Sequence, residues 1–233
     1  MPSGKKSKQM RRAAQTKAPP PVRSKGGVRG REAWLSGNRW AWAAGAAVVV
    51  AVIVVAIALA SGGSSAKPVQ VDFAQLPLLQ SGPPPWNNGS GALQGNLAGV
   101  HLNALAQEAL AFHIHDHLDV YVNGKHVPVP AGIGISSFIT ELHTHAPNGV
   151  IHVESPKKQP YTLGQFFGEW AVRLNARCLG HYCGDLHWWV NGKAQSGNPA
   201  DLNLVDPPHQ EIVIAAGKPP AHIPSKHKFA RGE

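Results

Sequence analysis

Residues 142–154 read LHTHAPNGVIHVE, a stretch that decides how the histidine-rich part of the chain folds. The Asn-Gly pair at positions 148–149 is typical of a tight β-hairpin turn, so the runs on either side are predicted as two antiparallel strands. Because side chains alternate along a strand, the hairpin has one apolar face and one polar face. The polar face carries four residues: His143, His145, His152 and Glu154.

A two-residue turn would fix the pairing of these side chains. It would set His145 opposite His152 and His143 opposite Glu154, with facing Cβ atoms about 5 Å apart. The four polar side chains would then lie close enough to share one ligand. A three-residue loop would break this pairing, so the register is conditional on the turn.

A second histidine run lies upstream, where residues 112–125 read FHIHDHLDVYVNGK. Its apolar residues alternate with polar ones, which predicts a strand that ends at the Asn123-Gly124 turn. Asp116 falls on the apolar face, against the pattern. The polar face carries three further histidines: His113, His115 and His117.

Two helices and two more strands are predicted from local patterns. Residues 162–165 have the form of a capping box, and apolar residues follow at helical spacing, which predicts an amphipathic helix over 163–175. A shorter helix is predicted over 102–112. The strands are predicted at 185–190 and 211–216.

The order of these elements indicates the fold class. From 136 to 217 it runs strand, strand, helix, strand, strand, which is the element order of a β-grasp domain. We therefore predict an α+β fold, a β-grasp-like mixed sheet with one packed helix and an extra N-terminal β-hairpin. The sheet face opposite the helix would be open to solvent, with the histidines gathered on it.

The N-terminal region predicts a membrane anchor. Residues 41–60 contain no charged side chain, and twenty such residues rise about 30 Å as a helix, enough to cross a bilayer. Eleven Lys and Arg precede this segment against Glu32 alone, so the positive-inside rule predicts a cytoplasmic N-terminus. A signal peptide cleaved after Ala60 and nucleic acid binding by the basic tail are weaker interpretations.

The two cysteines of the chain are Cys178 and Cys183. Their spacing favours a short-loop disulfide in an exported domain. The alternatives are a thiolate pair that binds metal alongside His181, or two free thiols.

Composition divides the chain into five parts. The predicted parts are a basic cytoplasmic tail (1–40), a single transmembrane helix (41–60), a Gly/Pro/Ser-rich stalk (61–100), an extracytoplasmic histidine-rich domain (101–217) and a basic flexible tail (218–233).

The histidine pattern predicts a metal site. Neutral imidazole is a good ligand for divalent transition metals, and His143, His145 and His152 could supply three convergent nitrogens. Glu154 could be a fourth ligand, an orienting partner or a base. Methionine occurs only at positions 1 and 10, so the exported part lacks thioether ligands and Zn or Cu(II) is favoured. The competing interpretation is a solvated polar strand face.

Five strings carry a resemblance: HIHDHLDVYVNG (113–124), VPAGIGI (129–135), LHTH (142–145), IHVES (151–155) and TLGQFF (162–167). Together they resemble a family of exported or membrane-anchored bacterial proteins. The similarity covers about residues 110–217. It implies a shared domain but no activity.

The predicted function is a membrane-anchored extracytoplasmic domain that captures a divalent transition metal. A transporter or cell-envelope protein is a candidate partner, and no nucleic acid is expected. One alternative is a hydrolase or hydratase in which a three-histidine zinc activates water, with Glu154 or Glu141 as base. The other is a metal-free module that recognises a protein or a wall component.

Overall fold

The computed structural model describes residues 67–231. Backbone contacts divide the chain into residues 1–63 and residues 64–233, and the fold described below belongs to the second unit. The predicted basic tail and transmembrane helix lie outside the described residues. Between residues 67 and 231, no helix has both the length and the apolar character needed to span a bilayer.

The described residues form a mixed α+β structure with a mostly sheet core and two α-helices. Seven strands make one sheet in the order β3-β4-β1-β9-β7-β8, and β2 pairs with β1. Strands β5 and β6 form a separate hairpin. The elements are α1 (Ser90–Val100), β1 (Phe112–Val122), β2 (Lys125–Val127), β3 (Leu142–His143), β4 (Val150–Ser155), α2 (Leu163–Glu169), β5 (Cys178–Leu179), β6 (Tyr182–Cys183), β7 (Leu186–Val190), β8 (Lys193–Ala194) and β9 (Glu211–Ala216).

Strand β1 is the central strand of the sheet. Its N-terminal half pairs antiparallel with β4, and its C-terminal half pairs parallel with β9. The predicted hairpin is present, since β1 pairs antiparallel with β2 across the Asn123-Gly124 turn. Its predicted position at the flank of the sheet is wrong, because β1 is central. With 11 residues, β1 is long enough to pair with different strands along its two halves. The predicted α+β class is confirmed, whereas the finer β-grasp-like classification, which rested on element order alone, remains a prediction.

The predicted stalk contains folded structure. Helix α1 lies within it and packs against α2, and Leu93 and Val100 are fully buried. Glycine allows the close approach, because a Cβ at Gly168 would collide with the side chain of Val100. Gly89, one of the small residues that suggested a linker, also lies against the end of α2, since a Cβ there would collide with the carbonyl oxygen of Glu169. The prediction of a stalk with little structure is thus wrong for residues 67–100.

One of the two predicted helices is present but shorter than predicted, and the other is absent from its described segment. The capping box at Thr162 and Gln165 is present, and α2 begins as predicted. It ends at Glu169 rather than at 175, because Ala171 adopts a left-handed backbone conformation with φ of 58°. The helix predicted over 102–112 is absent from this described segment, which is a loop whose Leu105 pairs with Ile139.

The hairpin β5–β6 carries the disulfide. Cys178 and Cys183 are directly paired across the hairpin and are covalently bonded. The predicted disulfide is confirmed, and the thiolate alternative falls away.

Two rings of the C-terminal segment contact the rest of the domain, and the basic flexible tail predicted over 218–233 remains a prediction. The ring of His227 stacks on that of His117 with centroids 3.7 Å apart, and Phe229 packs against His209 with centroids 5.0 Å apart. Aromatic and imidazole rings among the basic residues provide this contact.

Asp116 holds the start of strand β9. It is fully buried on the apolar face of β1, and its Oδ1 accepts a hydrogen bond of 2.7 Å from the backbone nitrogen of Gln210. Gln210 directly precedes β9. Burial raises the pKa of Asp116 to about 7. The exception to the apolar pattern therefore has a structural role, joining two strands that are distant in sequence.

Replacing Asp116 with Asn tests this arrangement. The folded-state pKa lies above the ordinary value, so the buried carboxyl destabilises the fold as pH rises from about 4 towards 7. Asn keeps an acceptor for Gln210 but does not titrate. We expect the stability of Asp116→Asn relative to wild type to increase by roughly 2–3 kcal/mol between pH 5 and pH 8, measured by urea denaturation. A difference that is independent of pH would contradict the proposed burial of this carboxyl.

Candidate metal centre

Strands β3, β4 and β1 carry a cluster of histidines on one face of the sheet. In the register of β1 and β4, His113 faces Glu154 and His115 faces His152. His143 of β3 faces His152 from the other side. The structure therefore brings together six of the seven predicted site residues. This histidine cluster comprises His113, His115, His143, His145, His152 and Glu154.

The hairpin register differs from the sequence prediction. His143 lies opposite His152 rather than opposite Glu154, a shift of two residues. The cause is Thr144, which leaves β4 and pairs with the preceding loop: its nitrogen donates to Ile133 O at 3.1 Å, and its carbonyl accepts from Gly132 N at 2.7 Å. Because the shift is an even number of residues, each side chain stays on its predicted face. The predicted pairing of residues across the hairpin is wrong, but the donor atoms of its four polar side chains still lie close together.

His143 is oriented by the backbone. Its Nδ1 lies 3.0 Å from the carbonyl oxygen of Thr140, an acceptor, so Nδ1 carries the proton and Nε2 presents a lone pair. Burial, followed by neighbouring imidazoles, lowers the pKa of His143 to about 4. Nε2 is buried and has no hydrogen-bond partner among residues 67–231. This is a neutral ring whose free nitrogen is held in a fixed direction, the usual arrangement of a metal-ligating histidine.

The carboxylate of Glu154 lies in the middle of the cluster. Its Oε1 is 3.1 Å from Nε2 of His113, 3.3 Å from Nδ1 of His152 and 3.8 Å from Nε2 of His143. Its Oε2 is buried without a hydrogen-bond partner in the described part of the chain. Burial is the main cause that raises the pKa of Glu154, with the charge of Glu108 adding to it.

The donor atoms have the spacing of a coordination sphere. Nε2 of His115 lies 2.9 Å from Nε2 of His113 and 3.1 Å from Nδ1 of His152. Ligands about 2.0–2.1 Å from a tetrahedral ion are separated by about 3.3 Å. The measured separations, including those to Glu154, are within a few tenths of an ångström of this value. Modest side-chain adjustment would accommodate an ion.

The cluster is more enclosed than predicted. His115, His143 and Glu154 are buried, so the expected open face is wrong here. The loop that precedes β1 folds over this edge, and Glu108 Oε1 lies 3.2 Å from Nε2 of His145. His113 and His145 keep substantial exposure and mark the side from which an ion would enter.

His117 stands apart from the histidine cluster. Its Nδ1 lies 3.0 Å from Glu211 Oε2, and its Nε2 lies 2.9 Å from the carbonyl oxygen of Asn148. Both partners are acceptors, so both nitrogens donate and the ring is an imidazolium. Burial acts to lower the pKa of His117, but the hydrogen bond and charge of Glu211 outweigh it and raise the pKa.

Two residues near His117 were missed by sequence analysis. Donor atoms of His117, Glu211 and His227 lie within 4.8 Å of one another, yet the central imidazole is already engaged on both nitrogens. Glu211 reaches His117 through the parallel pairing of β1 with β9, and His227 through the C-terminal segment. Local pattern carries no signal for either contact.

Comparison with known proteins adds nothing to this geometry: no family model, no curated protein and no solved structure matches the chain. The described residues nevertheless contain several His and Glu groups that could hold a metal ion.

Proposed function

We propose that the folded domain binds a divalent transition metal, Zn or Cu(II), through the histidine cluster. The observation that carries the proposal is the fully buried Nε2 of His143, which has no hydrogen-bond partner within the described range 67–231. A buried polar atom left unsatisfied costs about 1–3 kcal/mol. A bound ion would remove that cost, and the Thr140 carbonyl already fixes the tautomer that a ligand requires.

The neutral state of two of the histidines favours metal binding near pH 7. Burial, followed by the neighbouring imidazoles, lowers the pKa of His143 to about 4 and that of His152 to about 3. Both rings are therefore neutral near pH 7, and an ion would not have to displace protons from them. The donors are imidazole nitrogens and carboxylate oxygen, which suit Zn and Cu(II).

The donor set supports capture of an ion rather than catalysis. Of the two bases considered for a catalytic zinc, Glu154 is itself one of the donors of the cluster. Glu141, the alternative base, accepts hydrogen bonds from the backbone and side chain of Asn103 at 2.9 and 2.6 Å. Its carboxylate is thus engaged in joining two loops.

We further propose that the domain is anchored to the membrane and faces the extracytoplasmic side. The apolar segment 41–60 with its basic flank supports this orientation. The disulfide Cys178–Cys183 supports an oxidising compartment. An ion captured there would pass to a transporter or another cell-envelope protein.

Zinc titration of the full chain tests the proposal. The matched variants are His145→Ala and His126→Ala, since both side chains are about half exposed, at 42% and 51%, and each contacts one carboxylate. We expect His145→Ala to lower zinc affinity by about 10–100-fold, while His126→Ala binds like wild type. Calorimetric titration gives both affinities. Absence of binding by the wild type at micromolar zinc would overturn the proposal and favour the metal-free interaction module.

A further inference from the structure

The histidine cluster holds more donors than one ion needs. A tetrahedral site uses four ligands, whereas this cluster offers five imidazoles and one carboxylate. The donors form two overlapping groups. In each group, the donor atoms lie within 4.8 Å of one another: His143, His145, His152 and Glu154 in one, and His113, His115 and His152 in the other.

The two groups lie on opposite sides of one strand. Strand β4 runs between β3 and β1, and neighbouring strands are about 4.7–4.9 Å apart. His143 on β3 and His115 on β1 both face His152 on β4. The outer histidines are therefore rooted about two strand spacings apart, with His152 between them. Two ions, one near the histidines on the β3 side and one near those on the β1 side, would fit this separation better than a single central ion.

Glu154 has the features of a ligand shared between two ions. Its Oε1 is 3.1 Å from His113 Nε2 and 3.8 Å from His143 Nε2, so it faces both groups. Its Oε2 is buried and makes no hydrogen bond to any residue that the structure describes. A carboxylate can give one oxygen to each of two ions, and two-metal sites separate their ions by about 3.5–4 Å.

A second carboxylate at the exposed side of the cluster would favour the binding of a second ion. Two divalent ions repel each other strongly at such a separation, so Glu154 alone would offset little of their charge. Glu108 adds a second carboxylate, 3.2 Å from His145 Nε2 at the exposed side of the cluster.

We infer that the histidine cluster is a two-ion centre, with one ion on each side of β4. Glu154 is shared between the two ions, one oxygen to each, and His152, which belongs to both donor groups, binds one of the two ions. The β3 side is formed by His143 and His145, and the β1 side by His113 and His115. This inference rests on the proposed function and adds the stoichiometry and the division of ligands.

The test counts ions in the full chain, in which every histidine follows residue 100. After zinc loading and gel filtration, elemental analysis should find two zinc ions per wild-type chain. His113→Ala and His145→Ala each remove a partly exposed ligand from one side. Each should retain one tightly bound ion, while the affinity for the other ion falls by about 10–100-fold. Circular dichroism checks that both variants fold.

Cu(II) loading gives an independent readout. Two adjacent Cu(II) ions couple magnetically, so the wild type at two equivalents should show a reduced or broadened electron paramagnetic resonance signal, and each variant should show an uncoupled single-ion spectrum. One ion per wild-type chain, weakened by both substitutions, would overturn the two-ion centre while leaving the proposed function intact. Two ions retained by both variants would overturn the division of ligands. No bound ion would overturn the proposed function itself.

Discussion

Replacing His152 with Ala is expected to abolish tight zinc binding, with a loss of affinity greater than about 100-fold, the upper end of the effect of removing an outer-shell partner. His152 belongs to both donor groups. Its Nδ1 lies 3.1 Å from His115 Nε2 and 3.3 Å from Glu154 Oε1, and its ring stacks on that of His143 with centroids 5.3 Å apart. Replacing any other histidine of the cluster leaves one donor group complete, whereas replacing His152 removes a donor from both groups.

His187→Ala is the matched control for this experiment. His187 has the same strand parity, because it pairs with Ala215, which in turn pairs with Tyr121 on the histidine face of β1. It lies two strands from β1 and contacts Asp185 at 2.7 Å. We expect its zinc affinity to equal that of wild type. If His152→Ala keeps its affinity within about threefold of this control, the role of His152 in metal binding is wrong.

Replacing Leu93 with Ala should destabilise the domain by about 2–5 kcal/mol. Leu93 lies in α1 and is 0% exposed, so truncation removes buried apolar contacts and leaves a cavity. Leu78→Ala makes the same chemical change in the same segment, at a side chain that is 47% exposed. We expect this control to change stability by less than about 0.5 kcal/mol.

Urea denaturation of the two leucine variants decides whether residues 67–100 belong to the folded domain. An independent stalk would give both variants the stability of wild type. A packed α1 predicts that only Leu93→Ala unfolds at lower urea concentration, with an unchanged slope. Equal midpoints for the two variants would contradict the packing of α1 against α2.

The sheet face on which each site residue lies could be predicted from sequence, because side chains alternate along strands. The parity of residues 113, 115, 143, 152 and 154 fixes their face once their segments are strands, and no even shift of register changes it. The two-residue shift at Thr144 illustrates this tolerance. The turn prediction failed because the Thr144 backbone pairs with Gly132 and Ile133, contacts that no local pattern encodes.

Burial of the site could not be predicted from the same pattern. Glu108, whose Oε1 lies 3.2 Å from His145 Nε2, belongs to a loop that reads locally as a helix, and this loop pairs with a distant segment through Leu105 and Ile139. Such pairings join segments more than thirty residues apart in the chain. Local pattern gives no signal for such pairings, nor for the burial that lowers the pKa values of His143 and His152.

The position of β1 and the packing of α1 were also beyond local patterns. The parallel pairing of β1 with β9 is accompanied by the buried Asp116–Gln210 hydrogen bond at its start. In the sequence, Asp116 was only an unexplained acidic residue on an apolar face. In α1, glycines such as Gly95 and Gly99 resemble linker composition. Tertiary contact overrides such weak local preferences.

The most direct test of the central claim is an X-ray absorption spectrum at the zinc edge of the zinc-loaded chain. Coordination by the histidine cluster predicts a first shell of nitrogen and oxygen at about 2.0–2.1 Å, together with the outer-shell scattering of at least two imidazole rings per zinc. A shell of oxygen alone, without imidazole scattering, would place the ion elsewhere and contradict the account.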